Sequence, residues 1–549
     1  MPTQSFVRLA IDVDLKDKVS LVRLHTWQET CGSIYYNLKK SSWDEKHYFI
    51  DLDMPEDGCL VWYYFIIELA DGKLLYYGNN KAQMGGIGQE ALEVPPSYQI
   101  TVFKKDVKTP DWFKKAVMYQ IFPDRFYRSG NNIPQKKHAV LHCDWNEPPM
   151  YYLDPDTKNV ITYDYFGGNI QGIKEKLSYL KDLGISVIYF NPIFKSRANH
   201  HYDTADYHQV DPMFGTNEEF AELCSQAKEM GIHIILDGVF SHTGSDSIYF
   251  NRFGNFDSVG AYQSKESPYY EWYDFKEYPC KYDCWWGFTS MPNTKETTPS
   301  YMDFIIRSED SVMNFWMDKG ISGWRLDVID ELPQKFTRCF YQKLKKLDKD
   351  AVIIGEVWED ASNKIAYNVH REYLCGYEMD SAMNYPLRRI ILDFILKNKS
   401  AQETEVSILN QHENYPEENL YAMMNLLGSH DVERILTLLG EAPSVENVPA
   451  SVQAKFKLDD AHLRLAIARL KLAVVWQMTL PGVPSIYYGD EIGMQGYRDP
   501  HNRASYKWDE ADNNLRHFFT RMIALRNHRQ VLQTGWYIPV YAQDDVLAI

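Results

Sequence analysis

Three carboxylates in this chain each follow or end an apolar, β-rich segment. Asp327 lies in residues 323–328 (GWRLDV), Glu356 in 355–358 (GEVW) and Asp431 in 428–431 (GSHD). In α/β barrels such strand ends meet at one rim, where active sites are built. Cleavage of a glycosidic bond needs two carboxyl groups in different protonation states, and these residues offer that chemistry.

The neighbours of two carboxylates suggest different roles for them. Arg325 and Asp327 point to the same face of a strand, so the guanidinium favours the charged carboxylate and lowers the pKa of Asp327. Asp327 thus suits a nucleophile. Glu356 follows the next strand, where other carboxylates and Trp358 favour the protonated form that a general acid requires.

Two histidine–aspartate combinations could grip sugar hydroxyls. His430 and Asp431 are adjacent, and Asp237 and His242 follow the third apolar strand, so each pair supplies a donor and an acceptor. A single strand-end aspartate is most often a structural cap or a surface charge. Four such sites in one chain are much harder to explain in that way.

Apolar periodicity divides the chain into regions. Residues 1–108 alternate in short runs with a hairpin signal at Asp71-Gly72, which predicts a β-sandwich. Strand–helix alternation over 109–242 and 306–528 predicts a (β/α)8 barrel, with residues 243–305 as a subdomain inserted after the third strand. The helix nearest the start of the barrel is predicted at 170–183, ending at Gly184.

Charge and composition limit the possible partners. The net charge is −17 for 549 residues, which argues against a nucleic-acid partner. The start shows no signal peptide and the longest apolar stretch is too short to span a membrane, so we expect a cytoplasmic protein without a membrane partner. The eight cysteines form neither a disulfide framework nor a zinc-binding pattern.

The motifs resemble glycoside hydrolase family 13, the α-amylase family, over roughly residues 112–525. The resemblance rests on 237–242, 323–328, 355–358, 427–431 and 482–491, which occur in the family's order. It implies that Asp327 is the nucleophile, Glu356 the acid/base and Asp431 the transition-state stabiliser. It further implies the sugar contacts Tyr202, His242, Arg325 and His430.

The chain is most similar to the branch of neopullulanases, cyclomaltodextrinases, maltogenic amylases and amylopullulanases. The likeness rests on residues 199–207 (NHHYDTADY), on Trp358 and on the β-domain before the barrel. It implies an α-glucan substrate, contacts from Asp499 and Arg503, and a homodimer formed through the N-terminal domain. Residues 529–549 would begin a C-terminal β-domain.

The family's calcium site is altered in this sequence. Where the resemblance implies metal ligands, the chain has Ser241, Lys295 and Glu331, and an ammonium group repels a cation. We therefore expect no required cofactor and no calcium there. A weaker second calcium site would use Asn131, Asn132 and Asn169, although solvated loop asparagines are the favoured explanation of these residues.

Several alternatives remain open at this stage. Trp286, with its neighbour Trp285, either lines the substrate cleft or forms the core of the inserted subdomain. We expect a retaining α-glucan hydrolase that cleaves α-1,4 bonds, with cleavage of α-1,6 bonds left open. The same carboxylates could also serve a transglycosylase or a divalent-metal hydrolase. A catalytically inactive binding protein would usually have lost one of the three carboxylates, and this chain keeps them all.

Overall fold

Eight parallel strands form the centre of the molecule. The computed structural model describes residues 1–15, 18–130, 136–152, 162–509 and 512–549. The barrel strands 1 to 8 are Met118–Ile121, Val187–Phe190, His233–Gly238, Gly323–Leu326, Val352–Gly355, Ser381–Ala382, Met424–Leu426 and Val483–Tyr487. They pair in the order 6-5-4-3-2-1-8-7, and a parallel bridge between Met383 and Met424 nearly closes the ring. The predicted barrel fold is confirmed.

Strand 6 escaped the sequence analysis because it contains only two residues. So short a segment carries no periodicity, and its position is defined by pairing with strand 5, where Ile354 faces Ser381. The barrel strands alternate as expected. Met118, Val187 and Ile354 belong to the inner core, whereas Tyr119, Ile188 and Ile353 pack outward against the helices.

Helices surround the barrel and connect its strands. The longer ones are Asn217–Glu229, Val312–Asp318, Gln334–Leu347, Tyr385–Ile395, Ala401–Asn414, Asp460–Thr479 and Asn513–Asn527. The single helix predicted at 170–183 is wrong, because Lys176 separates Ile170–Glu175 from Leu177–Leu183. Gly184 does end the second helix, at a φ of 96°. No described helix has the length and apolarity that crossing a bilayer requires.

Two antiparallel sheets precede the barrel, as the predicted β-sandwich requires. One contains Phe6–Asp12, Lys39–Lys40 and His47–Asp53, and the other contains Val19–Gln28, Gly32–Asn37, Cys59–Leu69, Leu74–Gly78, Gln89–Ala91 and Tyr98–Val102. Side chains of both sheets share one apolar core that includes Leu24, Leu52 and Phe65. Burial of these inward-facing residues holds the sheets together.

A long segment separates barrel strands 3 and 4 and forms part of the cleft wall. Before the helix Val312–Asp318 it contains short elements, such as the helical turn Trp285–Gly287 and the hairpin of Phe275–Glu277 with Lys281–Tyr282. A β-bridge between His242 and Asn293 ties it to the end of strand 3. At the end of the chain, Tyr541–Gln543 pairs with Val546–Ala548.

Candidate active site

One buried arginine organises the carboxylates at the carboxyl ends of strands 3 to 5. Nη1 of Arg325 lies 2.8 Å from Oδ1 of Asp237 and 2.7 Å from Oδ1 of Asp327. Its Nη2 lies 2.7 Å from Oε2 of Glu356. Backbone hydrogen bonds fix the two flanking residues, because Asp327 N donates to Gly238 O and Glu356 N donates to Leu326 O. The three carboxyl groups therefore meet around one guanidinium.

The protonation of Asp327 differs from our expectation. We predicted that Arg325 would lower its pKa, but burial raises the pKa of Asp327 well above its usual range, and the nearby charges of Glu356 and Asp237 raise it further against the arginine. Burial likewise raises the pKa of Asp237. The prediction was wrong because one positive charge cannot offset the desolvation of several carboxylates. This cluster consequently favours retention of protons.

Glu356 is held by donors on both of its oxygens. Val328 N donates to Oε2 at 2.9 Å, and Trp358 Nε1 donates to Oε1 at 3.0 Å. The Trp358 ring, which is 40% exposed, stacks on Tyr385 with centroids 3.9 Å apart. The carboxyl group is thereby oriented before any substrate enters.

Asp431 lies in the same cavity and has a free oxygen. Its Oδ1 lies 3.2 Å from Nε2 of His430 and 3.9 Å from Nη2 of Arg503, while its buried Oδ2 has no hydrogen-bond partner among the described residues. Burial and the charge of Glu356 raise the pKa of Asp431 to about 7. The side chain as a whole is 25% exposed, so Asp431 can reach a ligand hydroxyl in the cavity.

These side chains face a cavity of about 540 Å³. The predicted residues that line it are Tyr202, His242, Asp327, Glu356, His430, Asp431, Asp499 and Arg503. Arg503 Nη1 lies 3.2 Å from Asp499 Oδ1, so these two form an ion pair in the wall. A volume of this size accommodates a small oligosaccharide segment.

Asp237 occupies a different position from the one expected for a sugar ligand. It is fully buried beneath the cavity and accepts hydrogen bonds from Tyr189 Oη at 2.6 Å and from Tyr202 Oη at 3.1 Å, besides its contact with Arg325. Its oxygens are engaged by protein donors. The structure therefore makes Asp237 a support for Arg325 and Tyr202.

A hydrogen-bond chain fixes the ring of Tyr202 beside His430. The Gln120 amide lies 2.9 Å from Nδ1 of His430, and Nε2 of His430 contacts Tyr202 Oη. The two rings are stacked with centroids 5.5 Å apart. Burial lowers the pKa of His430 well below its usual range and that of His242 to about 4, so both imidazoles are neutral near pH 7.

The two tryptophans of the inserted segment have unequal surroundings. Trp285 lines the cavity, while Trp286 stacks on it with centroids 4.8 Å apart and is 73% exposed. Trp286 Nε1 donates to Glu331 Oε1 at 2.9 Å. Trp286 thus lies outside the cavity proper, along the cleft edge, and does not belong to the core.

Some site residues were missed by the sequence analysis. His200 and Val328 line the cavity, and Gln120 and Asn191 support it from the ends of strands 1 and 2. Gln120 and Asn191 were detectable as polar residues at the end of apolar strands. Val328 carried no chemical signal, because its contribution is a backbone N–H.

The residues at the family's calcium position do not fit a calcium ion. Ser241 Oγ lies 3.1 Å from His242 Nδ1, Glu331 is bonded to Trp286, and the Lys295 ammonium lies 3.7 Å from Asp274. These side chains do not provide the several oxygen ligands that calcium needs. Within the described ranges, no group of three or more His, Cys, Asp or Glu side chains could hold a metal.

Direct hydrogen bonds occupy the junction where that ion would act. Thr294 N donates to Ser241 O at 2.9 Å, and the hydroxyls of Thr294 and Tyr301 both donate to Phe240 O at 2.8 Å. Hydrogen bonds between protein groups therefore join the inserted segment to strand 3.

Asn169, one residue of the weaker calcium site, has a structural role. Asn169 caps the helix Ile170–Glu175, because its Oδ1 accepts from Gly172 N at 2.7 Å, and its Nδ2 donates to Ser129 O at 2.8 Å. Asn131 and Asn132 lie outside the described residues. Calcium binding at this position stays a prediction.

Comparisons with known proteins agree on one family. The model of the alpha amylase catalytic domain matches residues 120–534. The chain is 40% identical over 531 residues to an amylopullulanase of Thermoanaerobacterium saccharolyticum, which covers 89% of this chain and 40% of that protein. It is 35% identical over 460 residues to a cyclomaltodextrinase of Thermoanaerobacter pseudethanolicus, covering 81% and 69% respectively. The chain thus spans two fifths of the amylopullulanase.

A solved structure shows the same architecture. The type III pullulan hydrolase from Thermococcus kodakarensis superposes with a TM-score of 0.67 at 26% identity, covering 98% of this chain and 87% of that one. The similarity therefore extends through the N-terminal sheets as well as the barrel.

Proposed function

The chain belongs to the α-amylase family of glycoside hydrolases, and on that basis we propose that it hydrolyses α-glucans with retention of anomeric configuration. One observation carries this proposal: Asp327, Glu356 and Asp431 converge on one cavity, with the first two held by Arg325. The pairing of an acid with a nucleophile is the minimum that a retaining glycosidase needs.

In the first step, Glu356 donates its proton to the glycosidic oxygen and an oxygen of Asp327 attacks the anomeric carbon. The bond to the leaving sugar breaks, and a covalent glycosyl-enzyme forms. In the second step, Glu356 removes a proton from water, the water oxygen attacks the same carbon, and Asp327 is released. The configuration is inverted twice and hence retained.

The contacts of Arg325 bear on this division of labour. Three carboxyl groups, those of Asp237, Asp327 and Glu356, surround this arginine, and Asp431 lies in the same cavity. Burial raises the pKa of Asp327, and the guanidinium 2.7 Å from its Oδ1 opposes this effect by stabilising the carboxylate that attacks. Asp431, whose side chain is 25% exposed and lines the cavity, would bind substrate hydroxyls more tightly as positive charge develops on the sugar.

Cyclodextrins, pullulan, starch and malto-oligosaccharides are the substrates we propose. Named relatives include an amylopullulanase, a cyclomaltodextrinase and a neopullulanase. Their range covers α-1,4 bonds in linear and cyclic glucans and a polymer that also contains α-1,6 bonds. We propose α-1,4 cleavage as the main activity.

The decisive experiment follows the anomeric configuration of fresh products by proton NMR. Maltotriose, β-cyclodextrin and pullulan would each be incubated with the enzyme and with Asp327→Asn. With the wild type we expect α-anomers to appear first. We expect Asp327→Asn to bind maltotriose but to lose nearly all turnover. Initial β-anomers would refute retention, wild-type rates in Asp327→Asn would refute the nucleophile, and longer products at high acceptor concentration would indicate a transglycosylase.

A further inference from the structure

A short β-hairpin follows barrel strand 5 and the general acid. Ile365–Ala366 pairs with Val369–His370, and the two connecting residues, Tyr367 and Asn368, have φ values of 52° and 62°. Two-residue turns of this kind favour Asn and Gly, so a tyrosine at the first position is held against its local preference. The preference of the turn for Asn or Gly therefore does not explain the tyrosine at this position.

The base of the hairpin is fixed from the side of the nucleophile loop. Lys364 Nζ lies 3.3 Å from Asp330 Oδ2. Arg371 Nη1 donates to Leu332 O at 3.1 Å and its Nη2 donates to Asp330 O. These bonds attach both strands of the hairpin to the segment that follows Asp327.

The N-terminal domain holds the hairpin from the opposite side. Gln99 Oε1 accepts from Asn363 Nδ2 at 2.8 Å, and Gln99 Nε2 donates to Ser362 Oγ at 3.1 Å. Aromatic contacts of His370 with Trp27 and Trp62 add apolar packing. The tip is consequently presented on a support anchored in two domains.

The tip lies beside the outer edge of the cleft. Arg371 at the base of the hairpin donates to the carbonyls of Asp330 and Leu332, on either side of Glu331, and Tyr367 at the tip is 67% exposed. Burial raises the pKa of Tyr367, and the charge of Glu331 adds to this effect. Glu331 bonds Trp286, whose ring stacks on the cavity-lining Trp285. Exposed aromatic rings thus continue outward from the cavity to the hairpin.

The direction of this surface is set by the acid. A general acid protonates the leaving oxygen, so the departing part of the substrate extends to the side of Glu356. Val328 N donates to Glu356 Oε2, and the loop that begins with Val328 also carries Glu331, the partner of Trp286. The hairpin of Tyr367 follows Glu356 in the chain and is bonded to that loop through Arg371. The exposed rings therefore lie on the leaving-group side.

Building on the proposed function, we propose that Tyr367 and Trp286 form an outer binding surface for the leaving segment of an α-glucan chain. The apolar face of a glucose ring would pack on each aromatic ring, and the carboxylate of Glu331 would accept hydroxyl hydrogen bonds between them. This surface would favour substrates that extend several residues beyond the cleaved bond. Tyr367 is then a specificity-determining residue that takes no part in the chemistry.

The test compares substrates of different length. For Tyr367→Ala we expect kcat/KM for soluble starch and maltoheptaose to fall about 3- to 10-fold, the loss of one aromatic contact, with α-maltosyl fluoride unaffected. Tyr367→Phe keeps the aromatic ring and should behave like the wild type. Tyr367→Asn removes the ring, but asparagine tolerates the positive φ of this position. A loss of kcat/KM in Tyr367→Asn is therefore due to the missing ring and not to a misfolded hairpin. Val369→Ala, on the same hairpin, is the matched control.

Three outcomes would overturn this inference. These are equal losses on long and short substrates, unchanged kcat/KM on starch in both Tyr367→Ala and Tyr367→Asn, and a change in oligomeric state by light scattering in place of a change in kcat/KM. The last would assign the exposed tip to contact with a second copy of the chain. If the wild type cleaves no α-glucan, the proposed function itself fails, whatever Tyr367 does.

Discussion

The backbone N–H of Val328 donates a hydrogen bond to Oε2 of Glu356 across 2.9 Å. Val328 directly follows Asp327, so this bond couples the segment of the proposed nucleophile to the proposed acid. The residue adopts φ 33° and ψ 63°, a left-handed conformation that β-branched residues rarely take. Such backbone strain, on the order of 1–3 kcal/mol, is typical of functional sites.

This conformation predicts an effect of glycine at position 328. Val328→Gly removes the Cβ clash and keeps the N–H, so we expect the free energy of unfolding to rise by about 1 kcal/mol, the strain relieved less the entropy cost of glycine. Val328→Ala retains its Cβ and should show no such gain. Thermal denaturation of both variants measures the difference, and a Gly variant less stable than the Ala variant would argue against strain.

The assignment of Glu356 as acid predicts a dependence on the leaving group. Glu356→Gln should lower kcat/KM for malto-oligosaccharides by about 10²–10⁴-fold, because the leaving oxygen is no longer protonated. Fluoride leaves without protonation, so kcat/KM for α-maltosyl fluoride should fall far less in Glu356→Gln. Asp327→Asn, which removes the nucleophile, serves as the control and should lose both activities. Equal losses on both substrates in Glu356→Gln would contradict the acid role.

The raised pKa of Asp431 predicts a pH-dependent stability. A carboxyl group with an ordinary pKa of 3.8 in the unfolded chain and about 7 in the fold disfavours the charged form when folded. The wild type should therefore lose stability as pH rises from about 4 to about 7, and Asp431→Asn should lose less. We expect the melting temperatures to coincide near pH 4 and to diverge by roughly 2 °C or more at pH 7.5.

Asp57→Asn provides the comparison for that measurement, since this carboxylate is exposed on the N-terminal domain. It should follow the wild type at every pH. A constant offset between Asp431→Asn and the wild type would mean that ionisation of Asp431 does not set the difference.

The protein hydrogen bonds at the family's calcium position predict insensitivity to chelators. Incubation with excess EDTA should leave both the melting temperature and the initial rate on starch unchanged, because Ser241, Lys295 and Glu331 do not form a calcium site. A lower melting temperature that added calcium restores would disprove this reading. Loss of all activity would instead favour the metal-hydrolase alternative.

The two hydrogen bonds that join the inserted segment to Phe240 O should have non-additive effects on stability. Thr294→Val and Tyr301→Phe each remove one donor from Phe240 O, at a cost of about 1 kcal/mol apiece. Together they leave that buried carbonyl without either donor, so the double variant should be less stable than the sum of the single effects. Additive losses in melting experiments would show that water or another group replaces them.

Much of the site could be predicted from local sequence. Asp327, Glu356 and His430 lie at strand ends whose apolar runs are visible in the chain, and a closed sheet must bring such ends to one rim. Helix boundaries were harder to predict, because no glycine or proline marks the interruption of the helix at Lys176.

The sequence by itself determined the barrel class and the three carboxylates at its rim, since both follow from residue type and periodicity. Strand 6 and the supporting residues Gln120 and Asn191 were recognised only in the structure. Only the tertiary structure decided what state those groups adopt. Arg325 must be shared among Asp237, Asp327 and Glu356, and burial outweighs its charge, which reversed the expected pKa of Asp327. Desolvation depends on everything packed around a group, and contacts such as that of Trp286 with Glu331 join segments distant in the chain, so neither is encoded in any local pattern.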